Sequence, residues 1–182
     1  MEYQGRRDHG MTPEEIAAVQ ARYGVGPSVA ADLALVVDDT TRDSKRHLLL
    51  LIRRKNKPFQ NCWALPGGFV ELDEDLEDAA RRELSEETGI ADLSHVPLVQ
   101  VCTCGHPDRD PRGRVISVVY LARMSEGLLE TRAGDDAADA RYFLFSDGVV
   151  WDDSGNRVSL AFDHDAIVWR VWGLVMVADS QS

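Results

Sequence analysis

Cationic side chains are scarce in this chain: 20 Lys and Arg stand against 31 Asp and Glu, a formal net charge of -11 over 182 residues. That balance argues against a general nucleic-acid binder, because phosphate backbones need a basic surface, and no nucleic-acid partner is expected. It does not argue against a small phosphate-bearing ligand, since a bound divalent ion reverses the local field. Long apolar runs are missing too. The longest, Leu48 to Ile52, is strand-sized, and Met1 to Gly10 is polar with no apolar signal core. The expectation is a cytoplasmic protein with no membrane partner. Cysteine is sparse: Cys62, Cys102 and Cys104 cannot all pair within one chain and form no disulfide framework. Cys102-Thr103-Cys104 with His106 can be read as a metal cluster. A strand with two different faces is the better reading, because Val99, Val101 and Thr103 alternate with Gln100, Cys102 and Cys104.

What is present suffices for one domain with a real core and not for two: 44% of residues are hydrophobic. Thr12, Pro13 and Glu15 make a helix start, with a hydroxyl at the N-cap, proline at the first helical position and glutamate at the third. That helix should run to about Tyr23, within an N-terminal extension of residues 1–28. A single domain then fills residues 29–178. Strands are expected over Val29 to Val37, His47 to Arg53, Pro97 to Cys104, Val115 to Met124 and Ala140 to Phe145. Cys62 to Val70 reads as extended chain broken by Pro66-Gly67-Gly68, and Asp163 to Val177 reads as helix. Strands interleaved with few helices suggest a mixed α/β sandwich.

The strongest helix is Leu76 to Thr88. At about 100° per residue, Leu76, Ala79 and Ala80 define its inward face. Glu83, Glu86 and Glu87 fall on that same face, within about 60° of its centre. Glu77, Asp78, Arg81, Ser85 and Thr88 should point outward, with Glu77–Arg81 and Asp78–Arg82 in the favourable order for ion pairs. Asp75 can cap the start, and Gly89 can end the helix in a left-handed conformation. Three carboxylates clustered where a helix meets the protein raise one another's pKa or demand a cation, and a hard divalent ion with oxygen ligands is the usual answer. The bland alternative leaves the C-terminal half of the helix in solvent. Just upstream, Trp63-Ala64-Leu65-Pro66-Gly67-Gly68-Phe69-Val70-Glu71 offers two adjacent glycines whose backbone can approach an ion or phosphate.

Together the two features form one long pattern: Gly68, five residues, Glu74, seven residues, Arg82-Glu83-Leu84, one residue, Glu86-Glu87, one residue, Gly89-Ile90. This resembles the Nudix box, with every fixed position occupied. The loop Pro107 to Arg114, the stretch Ala133-Gly134-Asp135-Asp136-Ala137 and the segment Leu160 to Asp165 are similar to the bacterial ADP-ribose pyrophosphatase-like branch. The resemblance covers most of residues 30 to 170. It implies a Nudix-like α/β/α sandwich around a mixed β-sheet, and cleavage of a nucleoside diphosphate linked to another moiety.

Residue by residue, the resemblance implies that Glu83, Glu86 and Glu87 hold magnesium or manganese, with the Gly67 carbonyl as a further ligand. Glu83, Glu86 and the loop residue Asp136 are its catalytic candidates, with Asp135 second to Asp136. Glu74 and Arg82 would orient loop and helix as ion-pair partners, supported by Gly68 and Gly89. Arg53, Arg109 and Arg112 are the substrate-binding candidates, since a guanidinium holds a phosphate through two parallel bonds; Arg54 could reach the same cleft. Trp63 and Phe69 can stack a base, although core roles suit both. ADP-ribose, giving AMP and ribose 5-phosphate, is the leading substrate. A house-cleaning nucleoside triphosphatase and a non-catalytic ADP-ribose sensor are the alternatives. The expected partner is a small nucleotide, and a homodimer is in keeping with the branch.

Overall fold

The structure is a computed structural model that describes residues 10–23, 26–40, 46–91, 93–125, 127–134 and 137–181. Helix α1 (Pro13–Tyr23) starts at the reciprocal capping box that Thr12 and Glu15 foretell. The Thr12 N–H donates to Glu15 Oε2 at 2.7 Å, and the Glu15 N–H donates to Thr12 Oγ1 at 3.2 Å.

Among the described residues eight strands form one mixed sheet. They are β1 (Ser28–Asp39), β2 (Arg46–Arg54), β3 (Trp63–Ala64), β4 (Gly67–Phe69), β5 (Leu98–Cys104), β6 (Val115–Met124), β7 (Ala137–Ser146) and β8 (Val149–Trp151). The order is β5-β6-β1-β2-β7-β8, with β3 beside β2 and β4 beside β1. Only β1 and β6 run parallel, in register from Ser28–Val115 to Val37–Met124. β1 is buried along almost its whole length because both of its faces are covered.

One face packs Leu33, Leu35, Leu50 and Val118 against Ala79, Ala80 and Leu84 of α2 (Leu76–Thr88). The other packs Val36, Leu49, Leu51 and Phe143 against Ile167, Val168, Val171 and Val175 of α3 (His164–Asp179). The sheet is thus the filling of an α/β/α sandwich, and each fully buried large side chain stabilises it by roughly 1.5–3 kcal/mol. Among the described residues no helix is long and apolar enough to cross a membrane.

Local expectations fail at four points, each for a visible reason. β8 is too short to announce itself; it follows a tight turn in which Asp147 and Gly148 both have positive φ. Asp75 precedes α2 in an extended conformation but makes no side-chain cap; its carbonyl takes the Ala79 N–H instead. Neither expected ion pair forms on α2. Arg81 donates to the carbonyls of Leu93 and Val96, and Arg82 turns to Glu74, Glu83 and Glu86.

Thr88, expected outward, is fully buried. Its hydroxyl donates to the Leu84 carbonyl at 2.6 Å, and the segment 131–134 covers the helix end through Arg132 N–H to Thr88 O and Gly134 N–H to Glu87 O. A side chain on Gly134 would collide with the Glu86 carbonyl, so only glycine lets this segment close over α2. Gly89 does end α2 as expected, at φ 72°, with its N–H on the Ser85 carbonyl.

Candidate active site

The three box glutamates do not share one environment. Glu87 is buried and accepts the Gly67 N–H at 3.0 Å. Burial, with the negative charge of Glu83 adding to it, pushes its carboxyl up to about 8 against the pull of that N–H and of Arg54. Glu83 is half-buried, and burial raises its pKa too, against the charge and hydrogen bond of Arg82. Glu86 is the outermost, its side chain 57% exposed.

Arg82 organises the group. It holds Glu74 with two bonds (Nε–Oε2 2.9 Å, Nη2–Oε1 2.7 Å), reaches Glu83 at 2.9 Å and Glu86 at 3.0 Å, and donates to the Phe69 carbonyl. Glu74 in turn accepts the Glu71 N–H. The loop before α2 is therefore tied to the helix through one guanidinium. Burial works against that guanidinium's charge, but the Glu74 hydrogen bonds come first and Glu83 adds to them, so its pKa stands above the ordinary value.

The Pro66-Gly67-Gly68 segment is clamped from both sides. Gly67 and Gly68 pair with Asp32 and Ala31 of β1. A Cβ on Gly68 would run into the Glu83 carboxylate, and one on Gly67 into Asp32. Just ahead, the Leu65 N–H donates to His164 Nδ1 at 3.0 Å. His164 is 3% exposed, and burial keeps its pKa below the ordinary imidazole value, against the charges of Asp32 and Asp163. A neutral ring that accepts at Nδ1 carries its proton on Nε2. Asp32, also buried, takes a hydrogen bond from the Ser117 hydroxyl.

Asp32, Gly67, Gly68, Arg82, Glu83, Glu87 and His164 line one open cleft with Arg54, Phe69, Arg109, Asp110, Arg112 and Phe162, and α1 adds Ala18, Val19 and Arg22 to its wall. Arg112 lies over the Phe69 ring at 4.7 Å and over Phe162 at 5.8 Å, and Asp110 holds it at 2.7 Å. Arg54 stacks on Phe162 at 4.9 Å. Cations stacked on aromatic faces form a wall suited to a base and its phosphates.

The structure brings Gly67, Gly68, Glu83, Glu87, Arg82, Arg109 and Arg112 to this cleft. Glu74 and Glu86 are not part of its lining and are tied to it through Arg82. Nor is Arg53, which is exposed and donates to the Asn61 carbonyl; the pairing of β2 with β7 shifts register between Arg53 and Arg54, and Arg54 is the cleft residue. Arg109 is in the cleft wall but is spoken for. It is 5% exposed and forms a two-bond pair with Asp163 at 3.0 and 2.8 Å. Burial alone would lower its pKa, yet Asp163 holds it above the ordinary value. Asp135 and Asp136 lie outside the described residues.

Trp63 packs edge-on against Phe143 as a core residue. Asp32, His164 and Asp163 escaped the sequence reading. Asp163 and His164 sat within a segment already quoted, but nothing in one sequence marks Asp32, an acid inside an apolar strand whose only anomaly is its charge.

Among the described residues no three of His, Cys, Asp and Glu are already spaced to hold an ion. Glu83 and Glu86 point to Arg82 instead. The donor chemistry nevertheless fits a hard cation. The groups are all carboxylates, Glu87 is buried beside another negative charge, and the glycine backbone closes directly on Glu83. Cys102, Cys104 and His106 form no such group.

A mixed sandwich with a glutamate helix facing a glycine loop defines a class, and comparison with known proteins gives the class its name. Residues 28–160 match the NUDIX domain, so the chain belongs to the Nudix family and is a Nudix hydrolase. It is 43% identical over 144 residues to an ADP-ribose pyrophosphatase of Methanocaldococcus jannaschii, covering 78% of this chain and 71% of the relative. A MutT/nudix family protein from Enterococcus faecalis superposes with a TM-score of 0.71 at 32% identity, over 93% of this chain and 71% of that one. The NUDIX domain of Shewanella oneidensis NrtR, solved with ADP-ribose, superposes with a TM-score of 0.67 at 28% identity, over 91% of this chain and 99% of that one.

Proposed function

We propose that this Nudix hydrolase splits the pyrophosphate bond of ADP-ribose to give AMP and ribose 5-phosphate. The observation that carries the reading is the joining, in one cleft, of the box carboxylates with the stacked wall of Arg112, Phe69, Phe162 and Arg54. The likeness to an ADP-ribose pyrophosphatase supports the choice of substrate.

Glu83, Glu86 and Glu87, with the backbone of Gly67, hold magnesium or manganese in this reading. A bound divalent ion supplies charge neutralisation at the phosphates and lowers the pKa of water it binds. The chain's own part is to position and to move a proton. Arg112 and Arg54 offer guanidiniums to the phosphates, and the two phenylalanines offer faces to the base or ribose. A carboxylate takes the proton from the attacking water; Glu83, Glu86 and Asp136 are the candidates. Arg82 holds Glu83 and Glu86 in reserve.

The test is product analysis on a panel of ADP-ribose, sugar nucleotides, dinucleotide cofactors and nucleoside triphosphates with magnesium. ADP-ribose should show the highest kcat/KM and yield AMP. A nucleoside triphosphate with the higher value, releasing pyrophosphate, replaces the reading with a house-cleaning triphosphatase. Tight ADP-ribose binding without turnover replaces it with a sensor.

A further inference from the structure

Cys102 and Cys104 take no part in the cleft chemistry, yet the fold sets them side by side. Val101 is the extra residue of a bulge in β5; beyond it Cys102 stands opposite Val119 and Cys104 opposite Ser117 of β6. Residues two apart on a strand share a face. Here the two Sγ atoms lie 3.7 Å apart, both half-buried against the core on the α3 side. A hydrogen bond joins the two thiols, and the positive charge of Arg170, on the exposed side of α3, also favours a thiolate at Cys102. Hydrogen bonds and a guanidinium favour a thiolate. Cys102 is drawn down to about 6, by Cys104 first and Arg170 next, against burial, while Cys104 is pushed above the ordinary thiol value.

Cα atoms two apart on a strand are separated by roughly 6.6 Å, at the long end of what a disulfide spans. Closing the bond requires the strand to bend. Among the described residues β5 is an edge strand, with no strand on its outer side. A bond made under such strain is readily reduced again.

We propose that Cys102 and Cys104 form a redox-modifiable pair that closes reversibly to an intramolecular disulfide when it meets a small-molecule disulfide. The Cys102 thiolate attacks one sulfur of the reagent, forming a mixed disulfide and expelling one thiolate. Cys104 gives up its proton and attacks Cys102 Sγ, which forms the protein disulfide and expels the second thiolate. Two protein thiols are oxidised, and one reagent disulfide is reduced to two thiols.

The test is mass spectrometry of the full chain after exposure to oxidised glutathione, with remaining thiols alkylated before trypsin digestion. Both cysteines fall in the tryptic peptide 83–109, since no Lys or Arg lies between Arg82 and Arg109. The expected product is that peptide lighter by two hydrogens, restored by dithiothreitol, with Cys62 still alkylated. Cys104→Ser should instead accumulate the glutathione adduct on Cys102, and Cys102→Ser should leave Cys104 largely unmodified. If the peptide keeps two alkylatable thiols, or if Cys104→Ser carries no more adduct on Cys102 than on Cys62, the proposal is overturned.

Discussion

Two ion-pair clusters in this molecule look alike and mean different things. At one end of the sheet, Arg123 holds Asp38 and Asp179, and His47 sits between the same two acids at 2.9 and 3.0 Å. That cluster pins the end of α3 to β1, β2 and β6, each of its two acids meeting both Arg123 and the His47 ring. Around the box helix the acids are in local excess: one guanidinium, Arg82, pairs with Glu74, Glu83 and Glu86, and the buried Glu87 feels the negative charges of Glu83 and Asp32 against the positive charge of Arg54. A balanced cluster holds a fold together. An unbalanced one keeps its excess only if something else supplies positive charge, and in a Nudix hydrolase that excess is where chemistry is to be sought.

The largest effect should come from the unbalanced side. Glu87→Gln is expected to cut kcat/KM for the best substrate by about 10²–10⁴-fold while the fold persists, since the amide keeps the shape and loses the charge. In metal-free buffer the same change should stabilise the protein. Glu87 has its pKa raised by folding, so the native state holds the proton longer than the unfolded chain. Its effect on stability is therefore a loss that sets in as pH rises from about 4.5 through about 8. Thermal melts of wild type should fall across that window, and melts of Glu87→Gln should fall less, the remainder coming from Glu83. Addition of magnesium should raise the wild-type melting temperature most at the alkaline end. A Glu87→Gln enzyme with wild-type turnover would erase the distinction between the clusters.

Next in size is the buried pair. Arg109→Ala leaves Asp163 charged and unpartnered, and is expected to cost about 3–5 kcal/mol of stability. Chemical denaturation measures it directly. This differs from the sequence expectation that Arg109 serves substrate alone. Arg123→Ala should also destabilise, by about 2–4 kcal/mol, yet leave kcat/KM within about twofold. An activity loss tracking that mutation would show that the balanced cluster is also functional.

Arg112→Ala should lose about tenfold to a hundredfold in kcat/KM, roughly 1.5–3 kcal/mol, and should also destabilise the fold, since the buried Asp110 loses its guanidinium partner. Arg112→Lys should recover only part, since it keeps charge without the planar fork. The smallest effect belongs to Arg53→Ala, within about 0.5 kcal/mol and twofold in rate, because this side chain is exposed outside the cleft. A large loss at Arg53 with none at Arg112 would invert the assignment of the cleft wall.

Periodicity made the helix legible and bulges hid the faces. The limits of α2 and β6 coincide with those read from the sequence, and the capping box of α1 forms as written. Two irregularities decide what alternation left open. Val101 is the extra residue of a bulge beyond which Cys102 and Cys104 face the α3 side, and a register shift at Arg53 leaves Arg54 as the cleft residue. A strand's alternation carries no mark of an inserted residue, and one such residue exchanges the faces beyond it. Thr88 escaped for a different reason: what covers it comes from residues 131–134, far along the chain. The glutamate cluster was legible because an acidic patch on an apolar stripe contradicts its own neighbours. Asp32 was not, since its partners Ser117 and Gly67 are assembled only by the sheet.

The parallel pairing of β1 with β6 sets the order in which this enzyme comes into being. Its partners lie on either side of the whole segment 40–114, so closing them carries the entropy of a long loop. Asp32 and Ser117 face each other across that pairing, and Gly67 rests on the same strand. Helix α2 can form early from local contacts, whereas the floor beneath its glutamates waits for a long-range closure. In refolding experiments the helical signal should therefore precede ion binding, and ligand-competent molecules should appear only with the last phase.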